Sequence, residues 1–213
     1  MTLRRAVGLA ALFSGTALLL NLIVRVALPV GLIGTAGVLG GVLLVRLFRS
    51  DPEARQLEWN VAKAGLLTGL VATFAYDVAR WGLSLLDPSP FQPFETLKVF
   101  GALLLGDAAS VSARLIAGAI LHLVNGTCFG MAYAALFGRQ GRRSVSSAAV
   151  TGISWGLFLE TFQLTLYPDW LRIIAIREFI VISALSHVVF GATIGLLSRR
   201  LLRRWVYDPY LID

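Results

Sequence analysis

The two histidines of this chain stand in matching surroundings. His122 begins the segment His-Leu-Val-Asn-Gly-Thr-Cys-Phe-Gly and His187 begins His-Val-Val-Phe-Gly-Ala-Thr-Ile-Gly, so both segments read H-x-x-x-G-x-x-x-G. They are the only histidines among 213 residues. An imidazole gains or loses a proton near neutral pH, and it also binds metal ions and haem iron. Because both segments lie within long apolar runs, an ionisable side chain there is costly to keep and indicates a functional site.

Two carboxylates are expected at the same depth as these imidazoles. Counted inward from the outer end of each predicted helix at 1.5 Å per residue, Asp77, Glu160 and both histidines lie roughly 10–15 Å below the outer edge. Two amide side chains lie one helical turn from members of this set, one after His122 and one after Glu160. The sequence therefore predicts an intramembrane polar site that consists of Asp77, His122, Asn125, Glu160, Gln163 and His187.

Four interpretations of this site are open. In the first, the six side chains of the polar site handle protons or a solute. In the second, His122 and His187 are the two axial ligands of a haem. In the third, these two histidines bind a divalent metal ion together with a carboxylate. In the fourth, purely structural interpretation, Asp77 pairs with Arg80 three residues later, and each imidazole donates a hydrogen bond across a helix interface. The sequence favours proton or solute handling over a cofactor site, because the chain has no C-x-x-C-H haem-attachment motif and no other pattern that selects a cofactor. The runner-up is a cofactor-binding or accessory subunit of a larger membrane complex.

Catalytic motifs do not accompany the polar site. The sequence contains no H-E-x-x-H and no G-x-x-x-x-G-K-[ST], the patterns of zinc proteases and phosphate-binding loops, and its G-x-S-x-G match, Gly152-Ile-Ser-Trp-Gly156, lies inside the apolar run that contains Glu160. We therefore expect that this protein is not an enzyme.

Composition predicts the elements that must hold these groups. The chain is 57% hydrophobic and 15% charged, with a mean hydropathy of +0.76, values that are typical of an all-α, polytopic integral membrane protein. The net charge of +7 lies in short basic clusters between apolar runs, which excludes nucleic acid as a partner and favours loops beside a membrane. As one transmembrane domain, the sequence predicts six membrane spans, at 6–24, 29–48, 64–86, 113–137, 148–167 and 179–198.

Basic residues predict the orientation of the bundle. With the amino terminus inside, thirteen of the nineteen Lys and Arg residues fall on the inner side, so both termini are expected to be cytoplasmic. The basic tail 199–213 is expected to lie on anionic lipids of the inner leaflet. The outer segment 88–112 contains a short amphipathic helix at 94–105, for which an interfacial and a re-entrant placement are both open.

Glycines indicate an internal repeat. The third predicted span begins Gly65-x-x-x-Gly69-Leu and the fifth begins Gly152-x-x-x-Gly156-Leu, and each is followed by a span with the H-x-x-x-G-x-x-x-G pattern. Small residues four apart let two helix backbones approach closely within a membrane. We therefore predict a duplicated two-helix hairpin packed through Gly65, Gly69, Gly126, Gly130, Gly152, Gly156, Gly191 and Gly195.

The layout of the third to sixth predicted spans resembles a known family. It combines the outer stretch Asp87-Pro-Ser-Pro, a short helix and a span with His122; Pro168 and Trp170 follow, and then Glu178 precedes a last span with His187. This order is similar to that of the YagU-like family of small bacterial inner-membrane proteins. The resemblance implies a location in the bacterial inner membrane, where a homo-oligomer or a place in a larger complex is open.

Overall fold

The computed structural model describes residues 1–87, 92–166 and 177–206, with the side chains of 163–166 and 177–179 outside that description. The described residues form helices joined by short connections and contain no strand, which confirms the prediction of an all-α protein. In chain order the helices are α1 (Leu3–Ala10), α2 (Phe13–Val24), α3 (Leu28–Phe48), α4 (Pro52–Leu86), α5 (Glu95–Leu105), α6 (Val111–Arg142), α7 (Val145–Leu166) and α8 (Arg177–Trp205).

Short polar residues begin the long helices. Asp51 accepts a hydrogen bond from the amide of Ala54 at 2.7 Å, and Pro52 then occupies the first position of α4. Ser110 accepts a hydrogen bond from the amide of Ala113 at 3.2 Å at the start of α6. Gly106 ends α5 with a φ of +83°, which a residue without a Cβ adopts readily.

Among the described residues, four helices are long and apolar enough to cross a membrane, and the count is five if α1 and α2 together form one span. This count differs from the predicted six. The predicted span at 148–167 corresponds to α7, which has the required length, but its serines, threonines and Glu160 lower its mean hydropathy. The predicted span at 6–24 is not one helix, because α1 and α2 meet at a bend of 51°.

Several helices extend beyond the apolar runs that predicted them. Helix α4 begins twelve residues before the predicted 64–86, and α6 continues five residues past 137. The first part of the predicted basic tail 199–213 is the end of α8, which continues to Trp205, and residues 207–213 lie outside the described chain. Hydropathy detects where a helix leaves the apolar layer, whereas backbone hydrogen bonding continues through polar residues until a cap.

The bundle is built on two close helix pairs. Helix α4 packs against α6, α7 packs against α8, and α4 also packs against α8. In the first pair, Gly65 and Gly69 face Gly130 and the backbone of Gly126 so closely that an added Cβ would collide with the opposite backbone. This close approach brings side chains at the outer half of the two helices within reach of each other.

The second pair repeats this contact. Gly152 meets Gly191 and Gly195, and Gly156 meets Gly191 and the carbonyl oxygen of His187. All eight glycines named from the sequence therefore lie at the α4–α6 and α7–α8 contacts. The two pairs are joined in the interior by the Ser198 hydroxyl, which donates to Thr68 Oγ1 at 3.1 Å.

Helix α5 lies against the first half of α6. An added Cβ at Gly101 would collide with the backbone of Arg114, and one at Gly118 would collide with the backbone of Leu97. The predicted helix at 94–105 agrees with α5, and residues 88–91 of the predicted outer segment lie outside the described chain. This close packing fixes α5 over the part of the bundle where the polar residues lie.

Candidate functional site

The first histidine pairs with an aspartate on the neighbouring helix. His122 Nε2 in α6 lies 2.9 Å from Asp77 Oδ1 in α4, within hydrogen-bonding distance. Both side chains are about one quarter exposed, at 25% and 27%. This pair is therefore reachable from outside the packed interior and is able to exchange a proton between the imidazole and the carboxylate.

The second histidine pairs with a more deeply buried glutamate. His187 Nδ1 in α8 lies 2.8 Å from Glu160 Oε2 in α7 and 3.0 Å from the carbonyl oxygen of Ser183. Two oxygen acceptors approach Nδ1, so this nitrogen is the one placed to donate a hydrogen bond. Glu160 is only 2% exposed, and neither of its oxygens accepts a well-aligned hydrogen bond from the described residues. A buried carboxylate without hydrogen bonds is costly, so Glu160 gains from a positive charge beside it.

Tyr76 joins the two pairs. Its ring centroid lies 5.8 Å from that of His122 and 4.8 Å from that of His187, and the second contact is edge-to-face. Arg80, one helical turn later in α4, donates a hydrogen bond from Nη1 to the Tyr76 hydroxyl at 2.6 Å. The four ionisable residues that the sequence selected are thus brought together around a tyrosine that it did not select.

Helix geometry explains why Tyr76 and Arg80 face inward. The buried residues of α4 recur at spacings of three and four, so Gly69, Thr73, Tyr76 and Arg80 form one stripe on the face that meets α6 and α8. The signal was present in the sequence, because this stripe continues the G-x-x-x-G pattern toward the outer end of the helix. Asp77 lies beside the stripe and reaches His122 from its edge.

The two carboxylates do not occupy equivalent places in the two hairpins. Glu160 follows Gly156 by four residues, whereas Asp77 follows Gly69 by eight. Asp77 is therefore one helical turn nearer the outer end of its helix than Glu160 is. Asp77 contacts Nε2 of His122, whereas Glu160 contacts Nδ1 of His187. Position 73, which follows Gly69 by four residues as Glu160 follows Gly156, is a threonine whose hydroxyl donates to the carbonyl of Gly69 at 2.8 Å.

A cavity of about 430 Å³ reaches this cluster. Its polar wall includes Thr73, Tyr76, Asp77, Arg80, His122, Asn125 and His187, and most of the remaining wall is apolar and aromatic. Helix α2 and the bend before it contribute Leu12, Gly15 and Thr16, and α5 contributes Thr96 and Phe100. Cavities of this size and lining hold small organic ligands in other proteins.

Formal charges in the cluster do not balance with both imidazoles neutral. Among the described residues of the cluster, with both carboxylates ionised, Asp77 and Glu160 contribute −2 and Arg80 contributes +1, which leaves −1. Protonation of either His122 or His187 brings the total to zero. The cluster therefore gains most from one proton, or from one other positive charge in the cavity.

The described residues do not fit a metal ion. They contain no group of three His, Cys, Asp or Glu side chains close enough to hold one, and each imidazole has a single carboxylate beside it. A haem held by both imidazoles is also disfavoured, because the Tyr76 ring packs against both of them and such a macrocycle would have to displace it. Each histidine is instead engaged with its own carboxylate.

The remaining residues of the predicted polar site have different outcomes. Asn125 lines the cavity, and its Oδ1 atom is buried without a hydrogen-bond partner among the described residues. The side chain of Gln163 lies outside the described part of the chain. Asp77 lies against His122 and not along its own helix against Arg80, whose guanidinium donates to Tyr76.

No protein-family model, no curated protein and no solved structure matches this chain. A functional assignment therefore rests on the geometry of the two histidine–carboxylate pairs and of the cavity that reaches them.

Proposed function

We propose that this protein is a membrane protein that binds a small solute in the central cavity and takes up or releases protons at its two histidine–carboxylate pairs. The observation that carries the proposal is the 430 Å³ cavity, which reaches Asp77, His122 and His187 at once. A subunit held together only by packed helices has no need of such a cavity, because buried histidines are satisfied by direct hydrogen bonds alone.

The charge balance supports proton handling. With neutral imidazoles the cluster of Asp77, Glu160 and Arg80 has a net charge of −1, and a single proton neutralises it. Intramembrane carboxylates and histidines are the groups that relay protons in pumps and transporters. The Tyr76 ring contacts both imidazoles, so a change of charge at one pair is felt at the other.

The bend between α1 and α2 supports a solute site. Leu12 lies in this 51° bend and lines the cavity, and α2 continues the same wall with Gly15 and Thr16. Interrupted helices within a membrane occur where the backbone is buried in protein or lines a cavity. Transporters build their substrate sites from such discontinuous helices.

The finer features of the architecture belong to the same proposal. We propose that the bent α1–α2 pair and α7 also cross the membrane, which adds two spans to the four apolar helices and gives six. The 22 residues of α7 extend about 33 Å, which is long enough to span a bilayer. The two hairpins are then copies, both termini are cytoplasmic, and the protein belongs to the bacterial inner membrane alongside the YagU-like family. It is not an enzyme, its basic carboxyl-terminal end contacts anionic lipids, and it works as a homo-oligomer or as a subunit of a larger complex.

Cysteine accessibility tests the proposal. Replacing the single cysteine by Cys128→Ala removes the native thiol, which is buried, and allows Asn125→Cys to be introduced in the cavity wall. We expect a charged methanethiosulfonate reagent to modify this thiol in intact vesicles, because a solute site must be open to water.

Leu123→Cys is the matched control on the same helix. Leu123 is 43% exposed on the outer surface of the bundle and does not line the cavity, so the bilayer should shield it from a charged reagent. An Asn125→Cys thiol that stays unmodified in the folded protein, yet reacts after denaturation, means that the cavity is closed to water and that the proposal is wrong.

A further inference from the structure

We infer that the ligand of the cavity is a monovalent organic cation with an apolar body, and that it exchanges for a proton at the two histidine–carboxylate pairs. This inference rests on the proposed function and specifies the chemical class of its solute. The cation and the proton compete for the same unbalanced negative charge, so binding of one releases the other.

Charge is the first argument. Among the described residues, Asp77 and Tyr76 from α4 and Glu160 from α7 contact the two imidazoles, and Arg80 lines the same cavity beside Tyr76. The described side chains of α2, α5 and α8 that line the cavity add no titratable group besides His187. The net charge of −1 with neutral imidazoles attracts one positive charge, whereas an anion would require protonation of both imidazoles to be accommodated.

The lining is the second argument. Most of the cavity wall is apolar, with aromatic rings on several sides, among them Phe94, Phe100, Phe129, Trp155, Phe158 and Phe190. Aromatic faces attract organic cations, most strongly where water is excluded. A hydrated inorganic ion would not use such a wall, and a volume of about 430 Å³ exceeds what one needs.

Two unsatisfied polar atoms are the third argument. The Oδ1 atom of Asn125 and the indole Nε1 of Trp155 are buried without hydrogen-bond partners among the described residues, and both side chains line the cavity. A buried polar atom without a partner is costly, so a ligand that supplies one is stabilised. An amine-bearing ligand offers a donor to Asn125.

The cavity also borders the lipid-facing surface. Phe158 in α7 lines it and is 51% exposed. The side chains of Trp155, Phe158 and Phe162 follow one another along α7, with ring centroids 5.7 Å and 5.0 Å apart. An amphipathic cation that has partitioned into the bilayer therefore meets a continuous aromatic path into the site.

Binding of tetraphenylphosphonium to the full chain in lipid nanodiscs tests this inference, with tetraphenylborate as an anion of the same shape. We expect tetraphenylphosphonium to bind, with release of about one proton per cation measured by calorimetry in buffers of different ionisation enthalpy. Its affinity should then fall about tenfold for each unit of pH on the acid side, as expected when one proton is displaced.

Asp77→Asn removes one negative charge from the site and should weaken tetraphenylphosphonium binding about tenfold or more. Asp107→Asn is the matched control, because Asp107 is exposed between α5 and α6 and does not line the cavity. The inference is overturned if tetraphenylphosphonium fails to bind, if it binds without proton release, or if tetraphenylborate binds at least as tightly. Should the Asn125→Cys thiol react with charged reagents while tetraphenylphosphonium does not bind, the inference fails and the proposed function stands.

Discussion

Gly156→Ala is predicted to disturb both the α7–α8 contact and the histidine site. An added Cβ at Gly156 would lie well inside van der Waals contact with the carbonyl oxygen of His187. Ordinary contact begins at 3.4 Å, so the two helices must separate by about 1 Å. A gap of that size forfeits up to half of the dispersion attraction between the facing atoms.

The expected loss follows from this displacement. Overpacking of a well-packed contact costs about 1–3 kcal/mol, whereas the helix propensity of alanine over glycine offsets up to about 1 kcal/mol. Gly34→Ala is the matched control, because Gly34 lies within α3 with no atom within 4 Å of the added Cβ and gains the propensity alone. The two variants should therefore differ by about 1–3 kcal/mol in their free energy of unfolding, since the propensity gain is common to both.

Thermal unfolding in detergent, followed by circular dichroism, measures this difference. At about 2–4 °C per kcal/mol for a chain of this length, Gly156→Ala should unfold roughly 2–12 °C below Gly34→Ala. In the same samples the imidazole signal of His187 should move more than that of His122, since the collision occurs at the backbone of His187. Equal unfolding temperatures for the two variants would show that the backbones do not approach as closely as described.

Two further substitutions test contacts around the site and at the inner end of the bundle. Tyr76→Phe removes the hydroxyl that accepts a hydrogen bond from Arg80 at 2.6 Å. Because hydrogen bonds to charged groups contribute about 1.5–3 kcal/mol, the free energy of unfolding should fall by that amount, as measured by thermal unfolding. An unchanged unfolding temperature would mean that this hydrogen bond contributes nothing to stability. Arg4→Gln breaks the pair with Glu58, whose side chain is 8% exposed and lies 2.9 Å away, and should cost about 1–3 kcal/mol, while Arg5→Gln at an exposed position should have little effect. Equal stability of the two arginine variants would contradict the role given to the Arg4–Glu58 pair.

The helical architecture was predictable because apolar length and glycine spacing are local signals. The eight glycines could be placed on helix faces from their spacing alone, and they lie at the α4–α6 and α7–α8 contacts. The bend between α1 and α2 was not predictable in the same way, because residues 6–24 are predominantly apolar and contain no proline. Hydropathy also did not predict the start of α4 or the end of α8, where polar residues continue the helix.

The sequence predicted which ionisable residues form the candidate site, but it did not predict which carboxylate contacts which imidazole. Counting residues from the helix ends placed Asp77, His122, Glu160 and His187 at one depth, but depth carries no information about rotation around a helix axis. Which carboxylate meets which imidazole depends on that rotation and on the turn by which Asp77 and Glu160 differ. Tyr76 was overlooked because an aromatic residue in an apolar helix is usually a packing residue, and only its contacts with both imidazoles distinguish it.

The most direct measurement is histidine-selective nuclear magnetic resonance of the protein in nanodiscs, because each of the two histidines in the chain gives its own signal. The proposed function requires both imidazoles to exchange protons with water through the cavity. We expect two resolved imidazole signals that both change as the pH is lowered from about 8 to about 5, with Tyr76→Phe altering the response of both. Two signals that remain constant over this range would show that His122 and His187 are locked structural residues, and would contradict proton handling at this site.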